Sequence, residues 1–230
     1  MLALPLYAAL AQTPPDVAEI LKKVGRTYQA AKDYELVAGF TFQDNGAAAG
    51  GHMLFAFKTP NRYRMEGALP GMGLGGAGSD KAILVDDGAT IYCYLPQMNG
   101  YASFSASELT GDAPGDAGDM RPEAVDHYLM WRYRGAADFA ATARFLREET
   151  IEIAGAKVPC YVVAVSPERG GHTYTWWVDQ KLYHVLREDQ GEGKNASSTV
   201  YTLVQLDSPP AAELFKFVPP PGARKIEVPK

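Results

Sequence analysis

The segment GMGLGGAG, Gly71 to Gly78, holds two overlapping G-x-G-x-x-G spacings, one on Gly71, Gly73 and Gly76 and one on Gly73, Gly75 and Gly78. Such a loop cradles a pyrophosphate only with a strand before it, a helix after it and an acid about twenty residues on. Here Pro70 precedes the match, no helical pattern follows, and Asp80 opens another strand-like run, so the segment reads as a loop. The histidines His52, His127, His172 and His184 are scattered, and no pair has the i, i+4 spacing of a zinc hydrolase. His127 beside Asp126 has the residue types of a general base, but a lone histidine next to a carboxylate is more often a surface or cap residue. Asp86 and Asp87 precede Gly88, which is the sequence of a tight hairpin turn. Cys93 and Cys160 lie in strand-like runs, where a disulfide and two small buried hydrophobes are both open readings. No G-x-S-x-G elbow, C-x-x-C pair or G-x-x-x-x-G-K loop is present. The expectation is a non-enzyme with no catalytic residue, no metal and no cofactor.

Two kinds of element must position whatever the chain does. Residues 14–32 predict a helix, with Thr13 as cap, Pro14 at the first position and Asp16 three residues after the cap. Val17, Ile20, Leu21, Val24 and Tyr28 form one apolar stripe along it. From Tyr34 the period becomes two: Tyr34, Leu36, Ala38, Phe40 and Phe42 alternate with Glu35, Val37, Gly39, Thr41 and Gln43. HMLFAFK and RYRME continue the alternation through Met53, Phe55 and Phe57 and then Tyr63 and Met65. Further runs bring the count to about eleven strands. A second helical region spans 122–142, starting at Pro122 with a stop at Gly135; Leu129, Met130, Trp131 and Tyr133 make it apolar on most sides, as suits a helix that is buried or covers a cavity.

The bulk numbers agree with a globular chain: 230 residues, 47% hydrophobic and 21% charged. The net charge of -5 argues against a nucleic-acid surface, which carries a basic stripe. No apolar run is long enough to span a bilayer as a helix. Residues 1–11 read as a signal peptide cleaved before Gln12, which makes 12–230 one exported domain. The 13 Tyr, 9 Phe and 3 Trp, many on one side of alternating strands, fit either a closed core or a curved sheet with room for an apolar ligand.

Three segments, in order, resemble the LolA-like periplasmic lipoprotein carriers and their lipid-binding relatives: FAFKTPNRYRME, AILVDDGATIYCYLP and FKFVPPPGARKIEV. The resemblance implies an α+β fold, an incomplete antiparallel β-barrel of about eleven strands with helices across its concave apolar face. It implies a monomeric periplasmic carrier whose partners are the acyl chains of lipoproteins or lipids, with donor and acceptor proteins at the inner and outer membranes. The lining expected for such a cavity is Leu36, Phe40, Phe42, Phe55, Phe57, Tyr63, Met65, Ile91, Leu129 and Trp131. The carriers have a lid-holding arginine directly before the proline of the first segment; here that position is Thr59, so either Lys58 or Arg62 takes over or the cargo is free lipid. On this basis Thr59 is the gate position, and Thr59→Arg slows uptake of an apolar probe. The other readings are a lipid-sensing regulatory module on the same fold and a hydrolase using His127 or His184.

Overall fold

The computed structural model describes residues 14–44, 47–68, 81–105, 121–166, 172–191 and 196–227. The predicted signal segment 1–11, the cap Thr13 and the glycine-rich segment 71–78 lie outside the described residues. Helix α1 runs from Val17 to Ala30. It starts later than residue 14, because Asp16 is the cap: its carboxylate accepts the Ala18 N–H at 2.9 Å and satisfies one of the four donors a helix start leaves open.

Period-two alternation then carries the chain through β1 (Tyr34–Asp44), β2 (Ala47–Lys58), β3 (Arg62–Ala68), β4 (Lys81–Asp86), β5 (Thr90–Leu95) and β6 (Gly100–Ser105), each antiparallel to the one before. Helix α2 (Pro122–Arg134) and a 3-10 turn at Ala136–Phe139 follow. Pro122 suits the first turn of α2, and Arg132 and Arg134 in its last turn oppose the negative end of the helix dipole. Gly135 ends it, so the second half of the predicted helical region 122–142 is a turn. A second meander follows: β7 (Arg144–Ile153), β8 (Ala156–Val165), β9 (Tyr174–Asp179), β10 (Val185–Gln190) and β11 (Ser197–Leu206).

Pairing of β1 with β11 joins the two meanders, and with a last short strand β12 (Arg224–Lys225) they form one sheet in the order β12-β6-β5-β4-β3-β2-β1-β11-β10-β9-β8-β7. β7 stands at one edge and β12 at the other, so the sheet is open. The fold is the expected large open antiparallel sheet with few helices, with twelve strands among the described residues. The strand beyond the predicted eleven is β12, two residues long and parallel to β6.

Alternation gives the sheet two unlike faces. On β8 Val163 and Val165 face the helices, whereas Cys160 and Val162 belong to a separate cluster on the other side with Trp177 and Leu186. The Trp177 ring lies beneath the guanidinium of Arg187 at 4.3 Å and that of Arg147 at 5.8 Å, so the outer cluster is roofed by the sheet's own arginines. Among the described residues no helix is long and apolar enough to cross a membrane.

Candidate functional site

The inner face is built by register. Tyr34 stands opposite Phe57, Leu36 opposite Phe55, Phe55 opposite Met65, Met65 opposite Leu84, and Leu84 opposite Cys93. Cross-strand partners share a face, so these pairs form one apolar band over five strands. The stripe of α1 (Ile20, Leu21, Val24, Tyr28) and the residues Val125, Met130 and Tyr133 of α2 pack onto that band in a single buried cluster.

Of the lining residues expected from sequence, Leu36, Phe55, Phe57, Tyr63, Met65 and Ile91 belong to this cluster, and Leu129 packs partly buried against it. Phe40 is buried beyond the cluster and stacks on half-buried Phe42, with ring centroids 6.2 Å apart. Trp131 is 42% exposed and stands apart from the band. Helical geometry explains it: Met130 and Tyr133 take the face toward the sheet, and Trp131 falls on the far side of the turn.

Thr59 donates from both its N–H and its hydroxyl to one carboxylate oxygen of Asp33, each at 2.8 Å. Position 59 therefore ties the β2–β3 turn to the link between α1 and β1. Arg62 packs near Gly88 at the β4–β5 turn, where Asn61 also donates to the Gly88 carbonyl at 2.9 Å. At that turn Asp86 accepts the Gly88 N–H at 2.7 Å and Asp87 accepts those of Ala89 and Thr90, each at 2.9 Å, as the Asp-Gly reading required.

The helix layer is held together by Arg134. Its guanidinium pairs with Asp126 and donates to the carbonyls of Tyr28 and Ala31 at 3.3 and 3.4 Å, closing the C-terminal end of α1. Gln29 returns a bond of 2.7 Å to the Arg134 carbonyl. α1 also meets the sheet through the Tyr28 hydroxyl, which accepts the Val185 N–H at 3.1 Å.

Where α2 meets the sheet, the chain buries a charge that periodicity does not reveal. Glu188 on β10 is 6% exposed and accepts Arg132 at 2.8 Å, the Trp176 indole N–H at 2.8 Å and the Tyr133 hydroxyl at 3.5 Å. The Tyr133 and Tyr201 hydroxyls share a further bond of 2.9 Å. A register shift between Val185 and Arg187 turns Glu188 inward and sends Arg187 out over Trp177; strict alternation from Val185 would have reversed the two. Burial raises the Glu188 pKa, with Arg132 and the two ring donors pulling against it. Burial likewise raises Tyr133 well above the usual phenol value, and raises Tyr201 to about 12 with Glu188 adding to it.

His127 is exposed on α2. His184 is half-buried edge-on to Tyr28, and burial lowers its pKa. Among the described residues no group of three or more His, Cys, Asp or Glu side chains could hold a metal ion. Cys93 and Cys160 are free thiols in different clusters on opposite faces, and burial pushes Cys160 up to about 12.

No family model matches the chain. It is 25% identical over 208 residues to an uncharacterized protein of Methanocaldococcus jannaschii, covering 90% of this chain and 52% of that protein. The chain thus spans about half the length of this curated relative. Similar solved structures include LprF, a LolA superfamily protein and MucB. LprF of Mycobacterium bovis matches with TM-score 0.48 and 10% identity over 84% of this chain and 94% of that one. A LolA superfamily protein of Nitrosomonas europaea matches with TM-score 0.30 and 13% identity over 89% and 99%. A chain of the Pseudomonas aeruginosa MucA/MucB complex matches with TM-score 0.45 and 14% identity, over 89% of this chain and 62% of that one.

Proposed function

We propose that this protein binds acyl chains of lipids or lipoproteins on the inner face of its open sheet, beneath α1 and α2, and works as an exported, non-enzymatic carrier delivering them toward an outer membrane. The observation that carries the reading is the continuous apolar band from Leu36 through Phe55 and Met65 to Ile91, covered by a helix layer rather than by a second sheet. A helix layer can shift without breaking the hydrogen-bond ladder of the sheet beneath it. Burying one methylene contributes roughly 0.8 kcal/mol, so an acyl chain of about fifteen carbons gains on the order of 10 kcal/mol gross. In the closed state helix side chains fill that place, and the net gain is the difference between the two kinds of cover. The inner-face residues Leu36, Phe55, Phe57, Tyr63, Met65 and Ile91 are the proposed lining, with Leu129 of α2 facing them from the cover and Phe40 and Phe42 continuing the lining along β1.

Mass spectrometry of an organic extract of the purified protein tests the reading. The expected result is bound acyl lipid, and a fluorescent fatty-acyl probe that binds once the protein is delipidated. A delipidated protein that takes no acyl probe contradicts it. A stable stoichiometric protein partner whose release depends on lipid would move the function from carriage to lipid sensing.

A further inference from the structure

The two sides of the buried charge network belong to different layers. Glu188, Trp176, Tyr174 and Tyr201 are on the sheet, whereas Arg132 and Tyr133 are on α2. A ligand that enters between the layers separates the two sets. What stays on the sheet is a carboxylate walled by aromatic rings. The Arg132 guanidinium shows how this place treats a cation: one nitrogen bonds the carboxylate at 2.8 Å while its central carbon lies 4.9 Å from the centre of the Tyr174 ring. The Arg132 side chain is 28% exposed and that of Glu188 7%, so the cation sits on the solvent side of the acid.

We propose that Glu188 and the rings of Trp176, Tyr174 and Tyr201 form a cation subsite, occupied in this state by Arg132 of the chain itself, and that it selects acyl ligands whose head carries a guanidinium or ammonium group. The selection rests on the acyl-binding reading above; the subsite itself does not. A buried carboxylate left without a counter-charge is strongly disfavoured, and an anionic head beside it adds repulsion. A cationic head replaces the bond that Arg132 gives up and keeps the ring contact.

The test uses the full chain as wild type, Arg132→Gln, Glu188→Gln and the double variant. Methylguanidinium chloride at millimolar concentration, against equal sodium chloride, is expected to raise the melting temperature of Arg132→Gln and to leave that of the double variant unchanged. Arg132→Gln is also expected to bind dodecylguanidinium at least about tenfold more tightly than dodecanoate, a preference that Glu188→Gln removes. Should Arg132→Gln fail to fold, Arg132→Met, which keeps the stem without the charge, serves in the head-group comparison beside wild type. Equal affinity for the two heads, with no rescue by methylguanidinium, overturns the subsite while leaving acyl binding in place. Rescue by methylguanidinium with no gain from the dodecyl chain upholds the subsite and overturns the acyl reading.

Discussion

At the scale of single residues, Glu188 and Thr59 bear the most weight, and for opposite reasons. Glu188 has a pKa raised by burial, so the folded state holds its proton more tightly than the unfolded chain does. The stability this adds is fully present below the ordinary carboxylate pKa of 4.5 and is lost as pH rises through the raised folded value. Glu188→Gln keeps the shape and removes the titration. Wild type is therefore expected to gain stability relative to Glu188→Gln as pH falls across that window, measured as paired urea unfolding curves; a difference independent of pH would mean that the carboxyl titrates alike folded and unfolded. Thr59, by contrast, supports a junction. Replacing it by Val removes the hydroxyl bond to Asp33 but keeps the backbone one, and the expected cost is about 1 kcal/mol in chemical denaturation. No measurable cost would show that the backbone bond alone holds the turn.

Among the elements, the hairpin of β1 and β2 shows how closely the sheet depends on glycine. A Cβ placed on Gly50 would lie 2.3 Å from the Phe40 carbonyl oxygen, which is backbone and has little freedom to move aside. Gly50→Ala is expected to destabilise the protein by about 2 kcal/mol through overpacking. Gly155 offers the control: at φ +83° it has no atom within 4 Å of a Cβ, so Gly155→Ala carries backbone strain alone, about 1 kcal/mol. Equal melting temperatures for Gly50→Ala and wild type would contradict the close approach. These hairpins were also the most legible part of the chain. In β1 Tyr34, Leu36, Ala38 and Phe40 are buried and Glu35, Val37, Gly39 and Thr41 are less so, and Phe55, Phe57, Tyr63 and Met65 reach the inner cluster as the alternation of their strands expects. Legibility failed where local geometry departs from the period. The register shift in β10 turns Glu188 inward, and β12 is two residues held by β6 rather than by any propensity of its own. The start of α1 was misplaced because Pro14 and Pro15 fit the first turn as well as the stretch ahead of it, and only the Asp16 bond to Ala18 decides between them. Arg132 shares the helical spacing of Val125 and Leu129, but an arginine in the last turn of a helix is ordinary until its partner is known.

Across the whole molecule, one sheet carries two apolar faces with different covers. The outer cluster around Trp177 is closed by Arg147 and Arg187 from the sheet itself, each paired with a neighbouring acid. The inner band is closed by α1 and α2, which are bonded to each other through Arg134 and Gln29 and to the sheet chiefly through Tyr28, Tyr133 and Arg132. That asymmetry is why the inner face, and not the outer, is the proposed acyl site: its cover is a separate layer joined by a small set of polar bonds. Photoaffinity labelling of the delipidated protein with a diazirine-bearing fatty acid, read by peptide mass spectrometry, puts this claim to the most direct test. Adducts are expected on the inner-face strands at residues such as Leu36, Phe55 and Met65, competed away by unlabelled fatty acid. Labelling that is absent, uncompeted, or confined to the outer cluster around Trp177 would contradict the account.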